Sequence, residues 1–416
     1  MKTEKELEIM KAVYRCCCGI DVHKKLIVAC LKKGGRQEVR EFGTMTGEIK
    51  ELAKWLKEAG CEMAAMESTG VYWKPLYNLF ELMDLEVMVV NAAHMKAVPG
   101  RKTDVKDAEW IAELLQHGLL QASFIPSREQ RELRELTRYR KSLTEECSRE
   151  LNRLQKVLEG ANVKLASVVG DIQGKSARKL LDKLAAGETL GREEILPLLY
   201  KTLRPKLDDI TLSLESITTP LQRALLRQIL DHIDDLNRRV AVLDGMVEQY
   251  MAEYAQALDA IDEIPGIARR SAQVILAEIG LDMDRFPSAA HLCSWAGVSP
   301  GNHQSAGKRR HGRTTKGNKT LKSMLAQCAK AAGKVKNSYF YAQYQRIAAR
   351  RGKNRATIAV AHSILTVIWH MLKHNTPYRD LGADYYDGFH REHKIKAYLK
   401  RLQALGWVPE PHPVSA

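Results

Sequence analysis

The hydrophobic pattern of this chain changes its period near residue 126, and the change restricts the folds that the chain can adopt. From Val13 to Ile125, short apolar runs of strand length alternate with segments of helical spacing, in the order β-β-β-α-β-α-β-α. From Ser127 to about Ala260 the strand signals vanish. We therefore predict a mixed sheet covered by helices, followed by a long helical region. The expected strands are 16–22, 25–32, 38–42, 61–66 and 85–90, and the expected helices of this first region include 47–59 and 72–83.

An apolar stripe opens the helical region. Its members step by three, four and seven residues, which is typical of a long helix with a coiled-coil-like seam: Leu133, Leu136, Leu143, Cys147, Leu151, Leu154 and Leu158. A second long helix is predicted at 219–258, with an insertion at 160–217 between the two. Packing explains both helices, which also offer a means of forming a homodimer or tetramer. Basic residues on the other faces of the first helix are solvated or line a nucleic-acid groove: Arg128, Arg131, Arg134, Arg138, Arg140 and Lys141.

Positive charge is concentrated in one block of the chain. The formal net charge is +15, and residues 301–355 contain fifteen Lys and Arg but no Asp or Glu. A nucleic-acid backbone is the obvious polyanion for this block, because each neutralised phosphate releases condensed counterions; a solvated basic face is the alternative. Aromatic residues interrupt the block, and it leads into the largely apolar run 358–372. That pattern favours a folded surface over a disordered tail.

Length and composition limit the class of protein further. The 416 residues predict two or three domains, and the patterns place them at 13–126, 127–260 and 261–375, followed by a tail at 376–416. No run of about 18 apolar residues appears, so no membrane-spanning helix is expected. The start of the chain lacks the apolar core of a secretory signal. The eight cysteines include no Cys-x-x-Cys pair, so we expect buried or free thiols in a reducing cytoplasm.

A short segment in the third region has the pattern of a helix-hairpin-helix element. Ile264-Pro265-Gly266-Ile267 precedes the mostly apolar run 274–279. The turn at Gly266 then presents backbone N–H groups at a helix N-terminus to a phosphate. A purely structural helix turn is the alternative, because the pattern is short.

Four carboxylates are placed where they can converge on a metal ion. Asp21 lies at the end of the first predicted strand, and Glu67 directly follows the strand 61–66. Asp104 and Asp107 are three residues apart in a helical stretch, so they share one face. Such oxygen ligands suit Mg²⁺, which stabilises the entering and leaving oxygens of a phosphoryl transfer. Ordinary solvated carboxylates are the alternative.

The order of several motifs resembles one protein family. The motifs are Gly19-Ile-Asp21-Val-His-Lys, Glu67-Ser-Thr-Gly70 with Val71-Tyr72-Trp73, Lys102-Thr-Asp104-Val-Lys-Asp107-Ala108, Ile264-Pro-Gly266, Phe286-Pro-Ser-Ala, Trp295-Ala-Gly-Val-Ser-Pro300, Ser305-Ala-Gly307-Lys-Arg-Arg and Thr315-Lys-Gly-Asn318. In order and spacing they resemble the DEDD transposases of bacterial insertion sequences. This family includes the Piv-type DNA invertase and the bridge-RNA-guided recombinases.

The resemblance implies an RNase H-like (RuvC-like) α/β domain at 13–126, a long helical coiled-coil middle region, and a mainly α C-terminal transposase domain. It implies a transposase or site-specific recombinase that acts on donor and target DNA. Ser305, which the sequence places in a loop, is the implied nucleophile, with Ser299 as the fallback; an ordinary cap or turn serine is the alternative. The implied Mg²⁺ ligands are Asp21, Glu67, Asp104 and Asp107, and the residues expected to bind nucleic acid are Lys308, Arg309, Arg310, Arg313, Lys316 and Gly266.

The family also implies a non-coding guide RNA as a partner, since base pairing then selects the sequence and the protein contacts mainly the backbone. Two other functions fit the same residues. A Mg²⁺-dependent junction nuclease would use the tetrad to activate water and would leave DNA ends without attached protein. A non-catalytic nucleic-acid-binding protein would bind regardless of Mg²⁺.

Overall fold

The computed structural model describes residues 12–68, 70–91, 104–215, 218–301, 304–305, 308–309, 314–388 and 391–407. The chain separates into two compact units, Met1–Arg128 and Glu129–Ala416. Mixed α/β structure occupies the first unit and helices dominate the second, as the change of hydrophobic period predicts.

The first unit is built on one mixed sheet with the strand order β3-β2-β1-β4-β5. The first three strands are antiparallel neighbours, whereas β1, β4 and β5 run parallel. This topology is consistent with the RNase H-like fold that the family resemblance implies. The strands are β1 (Cys16–Val22), β2 (Leu26–Lys33), β3 (Arg36–Gly43), β4 (Met63–Glu67) and β5 (Val87–Val90), and the helices are α1 (Thr46–Ala59), α2 (Trp73–Leu82) and α3 (Asp104–Gln116).

The two faces of this sheet bury different helices. On one face, Ile20 of β1 and Met66 of β4 are fully buried in a core with α1 and α2. On the other face, α3 approaches β1 so closely that a Cβ atom on Gly19 would overlap the backbone of Ala108 and Ala112. Only glycine fits there, and its absence of a side chain fixes how near α3 comes to the strand.

The second unit contains two long antiparallel helices, α4 (Arg128–Gly160) and α9 (Pro220–Tyr250). Their pairing is set by contacts from Arg140 beside Asp244, through Cys147 beside Asn237, to Gly160 beside Gln222. The predicted stripe is buried in this hairpin: Leu143, Cys147, Leu154 and Leu158 share a core with Leu226, Leu230, Ile233 and Leu236. The apolar stripe is therefore buried by residues of the same chain. A supercoil and a dimer remain predictions. The second helix ends at Tyr250, earlier than predicted, and a short 3₁₀ turn follows it.

The segment between these helices is a small helical cap, where the sequence predicts an insertion. It packs on the same core as the hairpin, through Leu165, Leu180 and Ile210. Its helices are α5 (Leu165–Val168), α6 (Lys175–Ala186), α7 (Arg192–Ile195) and α8 (Leu207–Leu214), separated by short 3₁₀ turns.

The remainder of the second unit is almost entirely helical. One helix, α15, is long and apolar enough to cross a membrane by length and composition. It buries Val360, Ile364 and Ile368 against its neighbours, so packing accounts for its apolar residues. All eight cysteines of the chain are free thiols, as expected. The elements are α10 (Ala255–Asp262), α11 (Arg269–Ile279), α12 (Ala289–Ala296), β6 (Gln304–Ser305), β7 (Lys308–Arg309), α13 (Lys319–Ala332), α14 (Tyr339–Arg351), α15 (Lys353–His374), α16 (Tyr385–Gly388) and α17 (Arg391–Ala404).

Candidate active site

Two of the predicted carboxylates lie side by side at one end of the sheet. Because β1 and β4 are parallel and Ile20 pairs with Met66, the next pair in register is Asp21 and Glu67. Ile20 and Met66 face the core of α1 and α2. Successive strand residues point to opposite faces, so Asp21 and Glu67 share the face on which α3 packs.

The helix α3 brings a third carboxylate to this strand end. Asp107 precedes Ala108, the residue whose backbone contacts Gly19. Burial raises the pKa of the Asp21 carboxyl above its ordinary value; His23 lowers it, and the negative charges of Asp107 and Glu67 raise it further. These three carboxylates therefore share one electrostatic environment. Asp104 lies on the same helix three residues earlier, but its side chain is outside the described part of the structure.

A histidine at the strand end was not among the predicted site residues. His23 Nε2 lies 2.9 Å from Asp21 Oδ2, and the imidazole is about half exposed. The signal was present in the sequence, because residues two apart at a strand end point to the same side. The contact holds the Asp21 carboxylate in a defined orientation.

The donor set at this site suits a hard cation. Carboxylate oxygens are the ligands that Mg²⁺ prefers, and crowding of like charges around Asp21 is what a divalent cation relieves. Among the described side chains, no group of three or more His, Cys, Asp or Glu has the arrangement of a metal site. The tetrad as a ligand set thus stays a prediction.

The proposed nucleophile lies on a short β-hairpin in the second unit. Ser305 pairs with Lys308 across the antiparallel strands β6 and β7. The sequence placed this serine in a loop, whereas the backbone here is a strand. The side chains of Ser305, Lys308 and Arg309 are not described, and Arg310 and Arg313 lie outside the described residues.

Two of the sequence motifs are hydrogen-bonded to each other at the base of this hairpin. The backbone N–H of Thr315 donates to Ser299 O at 3.2 Å, and Pro300 forms a bridge with Thr314. The N–H of Asn318 donates to Trp295 O at 3.2 Å. Ser299, the fallback nucleophile, is half-buried at this base. The motifs 295–300 and 315–318 are thus one packed element that supports the serine hairpin.

A buried carboxylate anchors that element to the long helix α4. Glu278 is completely buried and accepts two hydrogen bonds from Arg138, at 2.7 and 2.8 Å. Asn318 donates its side-chain amide to the same carboxylate at 2.6 Å, and Arg134 Nε lies 3.5 Å away. Sequence reasoning missed Glu278, although an acid inside the otherwise apolar run 274–279 indicates a buried partner.

This network decides between two readings of the arginines on α4. Arg134 and Arg138 pair with Glu278, and Arg140 pairs with Asp244 and Gln273. Glu278 and Asp244 partly compensate the charge of these three arginines inside the unit, so a structural role is favoured for them over a nucleic-acid groove.

The described part of the basic block has no such neutralisation. From residue 314 to 355, no Lys or Arg forms an ion pair with another described residue. Lys316 is exposed directly beside the hairpin base. Free cationic charge of this kind is available to a polyanion.

The predicted phosphate-binding turn has a packing role. Gly266 adopts a φ of +86°, and a Cβ atom there would lie 2.6 Å from Cys328 O and would overlap the backbone of Ala332. The glycine therefore allows close contact with α13. Its part in binding a phosphate remains a prediction.

Comparison with known proteins agrees with these features. A DEDD-type model for IS110 elements, described as "Transposase", matches residues 18–163, and a model described as "Transposase IS116/IS110/IS902 family" matches residues 258–345. The chain is 24% identical over 379 residues to a probable family 20 transposase of Pseudomonas aeruginosa, covering 90% of this chain and 97% of that one. It is 24% identical to the transposase for insertion sequence element IS1111A of Coxiella burnetii, over 90% of each chain. A pilin gene-inverting protein of Moraxella bovis is 28% identical over 38% of this chain and 52% of its own. The two family models together span more than half of the sequence, and this chain belongs to the IS110 family of insertion-sequence transposases.

Proposed function

We propose that this transposase cuts and rejoins DNA through a phosphoserine intermediate on Ser305, with Mg²⁺ held by Asp21, Glu67, Asp104 and Asp107. The observation that supports it most is the position of Asp21 beside Glu67 at one strand end, where the charges of Asp107 and Glu67 act on the Asp21 carboxylate. These four carboxylates would hold Mg²⁺, which would supply positive charge to the phosphoryl oxygens and to the leaving oxygen.

The serine step conserves the bond energy of the DNA. The Ser305 hydroxyl oxygen attacks phosphorus, a P–Oγ bond forms, and the bond from phosphorus to the 3′ oxygen breaks. In net terms the hydroxyl proton moves to the departing 3′ oxygen. A 3′ hydroxyl from another strand then reverses these changes, so strands are rejoined without ATP.

Basic residues next to the serine are assigned to the DNA phosphate. Lys308 and Arg309 follow Ser305 on the hairpin, and Arg310 and Arg313 follow in sequence. Their charge stabilises the negative charge that develops on the attacked phosphate. Lys316 extends the cationic surface at the hairpin base, where it is exposed.

The choice of DNA sequence is assigned to a guide RNA. The support is the free cationic charge of the block that ends at residue 355, which suits backbone contacts that read no bases. The purified protein is expected to carry one defined RNA. Charge reversal at Lys316 and Lys319, both exposed, is expected to remove it. An RNA-free protein that still selects its target would refute this part.

A covalent adduct assay tests the chemistry. The full chain is incubated with Mg²⁺, DNA carrying the ends of the insertion sequence and the co-purified RNA, and protein-linked DNA is measured after denaturation. We expect an adduct with wild type and with Ser299→Ala, and none with Ser305→Ala or Asp21→Asn.

Other outcomes identify the competing functions. Cleaved DNA without attached protein, retained in Ser305→Ala, would establish the junction nuclease. Binding that is indifferent to Mg²⁺ and to Asp21→Asn, without any cleavage, would establish a non-catalytic binding protein. An adduct lost only in Ser299→Ala would move the nucleophile to that residue.

A further inference from the structure

A cavity of about 210 Å³ opens at the tip of β1 in the first unit. Ile27, Ile49 and Leu76 form an apolar floor and are almost fully buried. At ~30 Å³ per water molecule the cavity has room for roughly seven waters. That volume is comparable with that of one planar base.

The lip of this cavity consists of side chains that the core leaves exposed. Val71 is 62% exposed and Tyr72 is 43% exposed, and both line the opening. The next residue, Trp73, behaves differently: its ring packs edge-on against Tyr77 and contributes to the core. An exposed aromatic ring beside an apolar recess is the arrangement that stacks a nucleobase.

The cavity and the candidate carboxylates occupy the same strand end. Val22 lines the cavity and directly follows Asp21, so their side chains lie on opposite faces of the tip. His23 also lines the cavity, and its imidazole contacts the Asp21 carboxylate. A nucleic-acid strand that has one phosphate at the carboxylates and follows the chain around the tip of β1 therefore brings a neighbouring base to the cavity.

Two exposed lysines lie at the opening or next to it. Lys24 lines the rim and Lys25 is exposed beside it, and neither forms an ion pair with another described residue. Lysines so placed complement the phosphates on either side of an inserted base. An apolar recess alone fits many occupants, whereas a recess with an aromatic lip and a cationic rim fits a nucleotide.

We propose that this cavity is a subsite for one unpaired nucleobase, stacked on Tyr72. The identity of the strand, as the one attacked at the carboxylates, rests on the proposed function. Stacking on an aromatic face tolerates every base, so the subsite requires an unpaired base and selects no sequence.

The test measures whether Tyr72 contributes to affinity for the base or for the sugar-phosphate backbone. Affinity of the full chain is determined by fluorescence anisotropy, without divalent metal, for short oligodeoxythymidine and for an abasic oligonucleotide of the same length. The preference of wild type for the thymidine strand is expected to fall roughly tenfold in Tyr72→Ala. Tyr72→Phe keeps the ring and is expected to retain the preference.

A matched control is available in the second unit. Tyr250 is similarly exposed, at 59%, and Tyr250→Ala is expected to leave the preference unchanged. Circular dichroism shows whether each variant is folded. An equal loss of affinity for both oligonucleotides in Tyr72→Ala, or no loss for either, would overturn the subsite. A wild type that binds both strands equally would overturn it as well.

This measurement is independent of the serine chemistry. Ser305→Ala is expected to bind both oligonucleotides like wild type. A Tyr72-dependent base preference without any covalent adduct would retain the subsite and refute the proposed reaction. An adduct without that preference would do the reverse.

Discussion

Replacing Glu278 with glutamine is expected to release the base of the serine hairpin. The carboxylate is completely buried and compensates Arg134 and Arg138, while also holding the Asn318 side chain. Glutamine has the same shape but no charge, and its amide N–H groups face guanidinium donors. Arg134 is the more vulnerable partner, because its side chain is only 11% exposed and burial lowers its pKa to about 10.

The magnitude follows from the burial of the two arginines. Removing one member of a buried ion pair costs about 3–5 kcal/mol, because the remaining charge is uncompensated. Arg138 is 44% exposed and recovers hydration, so its share is small. We therefore expect a loss of about 3 kcal/mol, a substantial part of the ~5–15 kcal/mol that stabilises a typical protein.

Amide hydrogen exchange measures this loss of stability at the base of the serine hairpin. The N–H groups of Thr315 and Asn318 donate across the hairpin base, so their protection reports its opening. Glu150→Gln is the matched control. Like Glu278, Glu150 is buried and pairs with an arginine, Arg153. It lies on α4, about 18 Å along the helix from Arg138. Glu278→Gln should accelerate exchange at both amides while the control does not. Equal acceleration in both variants, or none in Glu278→Gln, would refute the role assigned to this network.

Three further predictions concern the two units and the DNA. Gly19→Ala forces a methyl group into the backbone of α3 and is expected to destabilise the first unit by about 1–3 kcal/mol in thermal unfolding. The control is Gly47→Ala on α1, where the added methyl group meets open space and should be neutral or stabilising. Equal melting temperatures for the two variants would contradict this packing argument. If two chains share their sites, mixing Ser305→Ala with Asp21→Ala protein should restore adduct formation, and failure with both variants folded would count against shared sites. Lys316→Ala should lower the slope of log affinity against log salt by about one while changing all DNA sequences alike; a sequence-dependent loss would show that Lys316 reads bases.

The elements of the first unit could be predicted because each one is determined by the sequence of a short segment. Four of the five strands, β1, β2, β4 and β5, have an apolar run of their own, and the observed bounds differ from the predicted ones by at most two residues, as for β2 at Leu26–Lys33. The antiparallel and parallel pairs follow from short and long connections. Asp21 and Glu67 come together because parallel strands end at the same edge, which the order of elements already indicates.

Features that depend on distant partners were not predictable. The leucine stripe of α4 identified a buried face but not its partner, which turned out to be α9 of the same chain. For Arg134 and Arg138 the sequence left a solvated face and a nucleic-acid groove as alternatives, because their partner, Glu278, is more than a hundred residues away. Ser305 was placed in a loop since a two-residue strand has no periodicity to detect.

The hairpin of long helices has an evolutionary consequence. Because α4 and α9 run antiparallel in a fixed register, from Arg140 beside Asp244 to Cys147 beside Asn237, neither can change length alone. An extra heptad in one helix requires a compensating heptad in the other, or every leucine beyond the insertion loses its partner. Among transposases of this architecture, the hairpin of α4 and α9 should thus change length by equal additions to both helices. The cap at 161–215 should keep its structure at the end of the hairpin.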